Sequence, residues 1–287
     1  MQELFILTII TLVWLFFASI TDIKKREIPD WLSYSLIILA LTTHIISSVK
    51  TQSFFPILSS ILSAILFSAL AFLLYYTRQW GGGDVKLFIA LGFSFPVYPD
   101  SLLAWFNPGI NLYFPLIIIL NLILSAALYS LLALLILIIK NKANFLKELR
   151  HYPLTKLKII AAILALILFA LSFTFQTKEA VYAIILAILL ILFPYLLAST
   201  KAIEKLHMIK TIPIAKAEGE WLSADVYIKD KLILSKTIPE ITQHHINILK
   251  KHNIKTIKIK TGIPFVPAFF IALLLSLLFG NLLSFLF

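Results

Sequence analysis

Residues 4–21 read LFILTIITLVWLFFASIT, eighteen residues without a charge, and the next residue is Asp22. A stretch of this length and polarity is read as a membrane helix, because about 20 mainly apolar residues cross a ~30 Å hydrocarbon core. A carboxylate at its mouth is costly unless it has a use there, so Asp22 is a functional candidate. The arrangement recurs at Gly81-Gly82-Gly83-Asp84, where a second aspartate precedes another apolar stretch. The chain holds only 14 acidic residues in 287, so two placed in this way stand out. Paired carboxylates suit acid–base hydrolysis.

Working outward, eight stretches qualify as spans: 4–21, 31–49, 56–77, 85–106, 112–139, 157–175, 179–198 and 265–286. The fourth is interrupted by Pro96, Pro99 and Asp100, which predicts a kinked, short or partly re-entrant segment. The first lacks a basic leader and a small-residue cleavage site, and is read as a retained helix. Hydrophobic residues make up 60% of the chain and charged residues 14%, far from the balance of a water-soluble domain. The net charge of +11 does not indicate nucleic acid, because the basic residues follow the membrane topology and form no groove.

The loops at 22–30, 78–86 and 140–158 carry 3, 2 and 6 Lys or Arg, and the 201–263 segment carries 12 Lys. The alternate loops hold only Lys50 and Lys178. The positive-inside rule then predicts an external N-terminus and an external C-terminus, with Asp22 and Asp84 both at the cytoplasmic end of their helices. The 201–263 segment is the one water-soluble piece. It shows alternation over Ala224–Leu234 around a turn at Lys229-Asp230-Lys231, a short strand over Ile212–Ala217, a helix over Pro239–Asn253 and a strand over Thr256–Lys260. The expected fold is an all-α polytopic membrane protein of about eight transmembrane helices with a small cytoplasmic α+β insertion before the last helix. Its expected organisation is a helix bundle over 1–200, a soluble module over 201–263 and a C-terminal helix over 264–287. The lysines of the module suit contact with anionic lipid.

The chain has no cysteine, which removes disulfides, thiolate metal sites and cysteine nucleophiles. The six histidines show no metal-ligand spacing, and His244-His245 are neighbours that point to different faces. Neither metal nor cofactor is expected. Three glycines before Asp84 make an irregular, backbone-exposed helix start. It either lines a cavity and holds an extended substrate, or is a flexible loop with Asp84 as a cap. Asp22 alone is readable as a helix-end residue paired with Lys24, Lys25 or Arg26. Asp30 reads as an N-cap, Glu27 as a loop charge and Lys86 as a snorkelling or helix-placing cation. Asp100 falls on the opposite side.

Together, two stretches resemble a family. Asp22-Ile-Lys-Lys-Arg-Glu-Ile-Pro-Asp30 is similar to the first-aspartate motif of type IV prepilin peptidases. Gly81-Gly82-Gly83-Asp84-Val85-Lys86-Leu87 resembles their GxGD motif running into Val-Lys-Leu. Gly262-Ile-Pro-Phe-Val-Pro267-Ala268 is similar to the start of their last helix. The absence of cysteine departs from the zinc-bearing bacterial branch, and methyl transfer is not expected. A soluble α+β piece before the last helix looks more like the archaeal prepilin and preflagellin (pre-archaellin) peptidases. The resemblance implies an intramembrane aspartyl endopeptidase with Asp22 and Asp84 as the catalytic pair, supported by Gly81, Gly82, Gly83 and Lys86. Its partners would be the lipid bilayer and pilin-like or archaellin precursors with a short basic leader. The competing reading is a cation- or proton-coupled transporter with Asp22 and Asp84 as ion sites.

Overall fold

The computed structural model describes residues 2–174, 177–228, 231–238 and 240–285. The chain divides into two compact units, one of residues 1–131 with 212–287 and one of residues 132–211. Among the described residues, six helices are long and apolar enough to cross a membrane. They are α1 (Gln2–Lys25), α2 (Asp30–Thr51), α3 (Phe55–Tyr76), α5 (Phe114–Lys140), α7 (Thr155–Ser172) and α8 (Thr177–Ile203). Only 17–33% of the most apolar window of each is buried, so each turns most of its apolar surface outward. Outward faces of this kind suit lipid and not water. The chain is a multi-pass membrane protein.

Two of the eight expected spans differ. The fourth forms α4 (Gly82–Ser94), only 13 residues long, followed by an irregular segment with a short turn of helix at Asp100–Leu102. Pro96 removes a backbone donor just after the Phe95 cap, so the helix cannot continue into 97–106. The eighth forms α10 (Val266–Phe279), of 14 residues. It stops at Gly280, which adopts φ +71°, and a Cβ there would lie 2.6–2.8 Å from the Gly109 backbone. Only glycine allows both that backbone conformation and that approach. The close contact is tied by Gly109 N–H to Phe279 O at 3.1 Å and Asn281 N–H to Gly109 O at 3.0 Å. At ~1.5 Å per residue neither short helix reaches across the hydrocarbon core alone.

In the first unit the main core is built around α4. Phe67, Phe88, Leu87, Leu91, Phe95, Ile117 and Phe269 are all sealed from solvent, and Trp80 joins them. Gly92 lets α4 approach α3 closely, since a Cβ there would lie 2.8 Å from Phe67 and 3.0 Å from the Ala64 backbone. Trp14 of α1 donates to Ser35 of α2 at 2.9 Å. Far along the chain from the aspartates, Asn121 donates to Ser276 Oγ at 2.9 Å and Gly280 O at 2.7 Å, which satisfies a buried amide inside the bundle.

The water-soluble piece of this unit has its own small core of Ile214, Leu222, Leu234, Ile241, Ile246, Leu249, Ile257 and Ile259. Strand β1 (Ile209–Pro213), whose end lies in this unit, is the first of a three-stranded sheet with order β1-β5-β2. β2 is Trp221–Leu222 and β5 is Thr256–Lys260, paired antiparallel with Leu222 opposite Ile259. β3 (Val226–Ile228) and β4 (Lys231–Leu234) form a separate antiparallel hairpin. Of its predicted turn at Lys229-Asp230-Lys231, Lys229 and Asp230 fall outside the described residues, and Lys231 opens β4. Helix α9 (Gln243–Lys251) places Ile246 and Leu249 inward. The expected strand at Ile212–Ala217 differs: β1 ends at Pro213 and a turn of 3₁₀ helix follows over Ile214–Lys216.

The second unit pairs α7 with α8 along small residues at four-residue spacing, Ala161 and Ala165 on one and Ala183 and Ala187 on the other, all buried. Small side chains let membrane helices approach closely. The loop read at 140–158 contains a further short amphipathic helix, α6 (Lys142–Leu149), whose Phe145 packs with Leu134, Ala202 and Ile203. Glu148 pairs with Lys205 at 2.7 Å.

Candidate functional site

The two stretches singled out in the sequence meet in space. Asp22, Arg26, Glu27, Ile28 and Asp30 line a cavity of about 580 Å³ together with Gly81, Gly82, Gly83, Asp84 and Lys86. Ile28 packs on Gly83 so closely that a Cβ at position 83 would lie 3.2 Å from the Ile28 Cβ. The third glycine-loop position is therefore small because the Ile-Pro-Asp segment fills the space beside it. Lys86 pairs with Asp30 at 2.7 Å and lies 5.7 Å from the Tyr34 ring centre. This corrects the reading of Asp30 as an N-cap and agrees with the helix-placing reading of Lys86. Asp30 starts α2 without capping it, and Lys86 ties the start of α4 to the start of α2. The pair is partly exposed, so its contribution to stability is on the order of 1 kcal/mol or less.

Asp22 sits in the last turn of α1 and is buried, at 7% exposure. Its Oδ2 accepts a 2.9 Å hydrogen bond from Val266 N–H, the first residue of α10. The first N–H groups of a helix have no partner within it, and the positive end of the helix dipole favours a carboxylate there. Asp22 is thus held by the end of a helix that begins 244 residues later. Arg26, at φ +58°, turns the chain out of α1, its N–H bonding Asp22 O at 2.8 Å.

Asp84 is the third residue of α4, and its Oδ2 accepts from Gly81 N–H at 3.2 Å. The N-cap of α4 is Gly81 and not Asp84, which accepts from the cap's amide at the third helical position, while the glycine run lines the cavity. Asp84 lies outside the six spans. Burial first, and then the negative charge of Asp22, raise its carboxyl well above the usual carboxylate range, against the smaller opposing effect of the Gly81 N–H. The two carboxylates therefore feel one another across the cavity.

What fixes this geometry was not visible in the motifs. Trp80, the residue before the glycines, packs edge-on against Phe88 of α4 and Phe269 of α10 at centroid distances of 4.9 and 5.2 Å, and lies 5.6 Å from Phe265. Phe67 of α3 packs on Phe88 at 4.4 Å. These aromatic contacts join the glycine loop to the helix start that holds Asp22. The stretch Gly262–Ala268 pointed to the right helix end, but nothing in it named Val266 N–H as a partner for Asp22. Two further lining residues, Gly219 and Glu240, come from the soluble piece. No spacing in the sequence connects them to the aspartates. Asp100 does not line the cavity.

The family comparison falls on the segment that holds both aspartates. Residues 9–138 match the model of the type IV leader peptidase family. The matched segment, less than half of the chain, contains both Asp22 and Asp84 and is similar to that family. A preflagellin peptidase of Methanococcus voltae is 35% identical over 119 residues, covering 39% of this chain and 49% of the relative. A prepilin peptidase EppA of Methanothermobacter thermautotrophicus is 30% identical over 176 residues, covering 59% and 45%. A preflagellin peptidase of Methanocaldococcus jannaschii is 28% identical over 160 residues, covering 54% and 64%. The chain spans about half the length of the first two relatives it matches. No solved structure matches it.

Proposed function

We propose that this protein is an intramembrane aspartyl endopeptidase that removes the short basic leader of prepilin-like or pre-archaellin precursors at the cytoplasmic membrane face. The observation that carries the reading is that Asp22 and Asp84, from separate motifs, line one cavity beside a glycine-built helix start. The family match over residues 9–138 and the peptidase names of the archaeal relatives support it. The same match weighs against the transporter alternative, which no feature of the cavity favours.

In this reading the two carboxylates share one proton, because two negative charges in a desolvated site repel. The ionised partner takes a proton from water, and the resulting hydroxide adds to the scissile carbonyl carbon. The protonated partner donates to the developing oxyanion, and a proton is then passed to the leaving amine as the C–N bond breaks. The proton belongs to the pair and not to either residue. The amides of Gly82 and Gly83, in the first turn of α4, lack intrahelical acceptors and are suited to holding an extended peptide. Lys86 acts by position, through Asp30. With loops 22–30 and 78–86 facing the cytoplasm, the N-terminus is external and the soluble module over 201–263 is cytoplasmic.

The test is cleavage of a tagged pre-archaellin or prepilin in membranes by the wild type, Asp22→Asn and Asp84→Asn at matched expression. Cleavage by the wild type and its loss in both variants is the expected result. A well-folded wild type that cleaves no such precursor would overturn the reading.

A further inference from the structure

The chain is strongly basic, at +11, yet the cavity is not. Asp22, Glu27, Asp30, Asp84 and Glu240 line it against Arg26 and Lys86 alone, and Lys86 is committed to Asp30. Asp22 and Asp84 are the reacting pair of the proposed peptidase, and Glu27 is exposed on the connection after α1. Glu240 differs from all of these. It comes from the soluble piece and is partly buried, and its Oε2 would lie 3.5 Å from a Cβ at Gly82, two residues from Asp84. A Cβ at position 82 would be in ordinary van der Waals contact with it, so this carboxylate lies directly beside the glycine loop.

The segment that carries Glu240 is held from several sides. Gly219 N–H bonds Ile241 O at 2.8 Å, and Ile241 N–H bonds Glu220 O at 2.9 Å, immediately beside it. Arg78, six residues before Asp84, donates through Nη2 to Leu222 O at 2.8 Å and through Nη1 to Lys236 O. Tyr75 of α3 lines the same cavity as Glu240. A carboxylate has about four acceptor positions and suits the N–H donors of a cation. A fixed, partly desolvated carboxylate beside a reacting pair, on a module tied to the glycine loop, is a reader of substrate charge.

We propose that Glu240 binds a lysine or arginine side chain of the peptide held at Asp22 and Asp84, so that the soluble module sets specificity. The proposal rests on the peptidase reading above. It makes Glu240 a specificity residue and not a catalytic one.

The experiment uses the purified full chain in micelles and one cleaved precursor whose Lys and Arg near the scissile bond, on both sides, are changed to Gln one at a time. Steady-state cleavage is compared for the wild type, Glu240→Gln and Glu240→Arg. Glu240→Gln is expected to raise KM about five- to tenfold on the parent precursor, with kcat moving less. One substrate position is expected to give the same loss with the wild type and no further loss with Glu240→Gln. Glutamate at that position should be cleaved better by Glu240→Arg than by the wild type. If the wild type cleaves and every substrate loss multiplies with that of Glu240→Gln, the proposal is overturned while the peptidase stands. The same holds if the wild type is indifferent to every charge removed, a result that needs no folded variant. A wild type that cleaves no precursor overturns both.

Discussion

Substitution of Asp22 separates a structural role from a chemical one. Asp22→Asn keeps an oxygen acceptor for Val266 N–H, now bonded at 2.9 Å to Oδ2. It loses the charge at the start of α10, worth about 0.3–1 kcal/mol, and also removes the cost of burying that charge. The two effects oppose, so the net change in stability should stay within about 1 kcal/mol. Asp22→Ala instead leaves a buried N–H without an acceptor, which costs about 1–3 kcal/mol. Cleavage should fall at least about 10³-fold in both, because each removes one member of the pair. The assays are precursor cleavage in membranes and denaturant unfolding of purified protein in mixed micelles. Asp22→Asn retaining a tenth of wild-type activity would remove Asp22 from the reaction. Asp22→Ala as stable as Asp22→Asn would remove the Val266 bond from the account of how α1 meets α10.

Gly92→Ala gains up to about 1 kcal/mol of helix propensity but drives a methyl to 2.8 Å from Phe67, which is sealed on all sides and costs about 1–3 kcal/mol to displace. Net destabilisation is expected, and a double-mutant cycle with Phe67→Leu should show coupling; additive losses would count against the contact. The raised Asp84 pKa has a sign that can be tested. At low pH the group is protonated in both folded and unfolded chains. As pH rises through the ordinary carboxylate range the unfolded group ionises first, so the folded state loses stability until the raised folded pKa is passed. The stability advantage of Asp84→Asn should therefore be flat in acid and grow towards neutral pH, and a pH-independent difference would refute the shift. Arg78→Ala breaks two bonds to the soluble module, so hydrogen exchange over 219–241 should quicken by about tenfold or more while α1–α3 keep their protection. Unchanged exchange there would mean that Arg78 does not hold the module.

Much of the site was legible because its parts are local in sequence. An uncharged run ending at Asp22, and three glycines before Asp84, are patterns that hydropathy and helix-end chemistry make readable within a few residues. The strand over Thr256–Lys260 and the hairpin over 224–234 followed from alternation in the same way. The fourth and eighth spans were drawn too long because hydropathy does not register a chain break inside an apolar run. Pro96 ends one helix, and the Gly280–Gly109 contact ends the other. Asp30 and Lys86 were each read alone, and their partnership needs two helix starts to be neighbours.

The sequence by itself determined the membrane class, the two candidate carboxylates and the small module before the last helix, because each is set by local polarity and backbone chemistry. Only the tertiary structure decided that Asp22 is held by α10, that Ile28 fills the space at Gly83, and that Trp80 joins both halves of the cavity. It alone brought Glu240 to the same cavity. Those contacts join residues up to 244 positions apart, and they arise from packing between helices, which leaves no periodic mark on the chain.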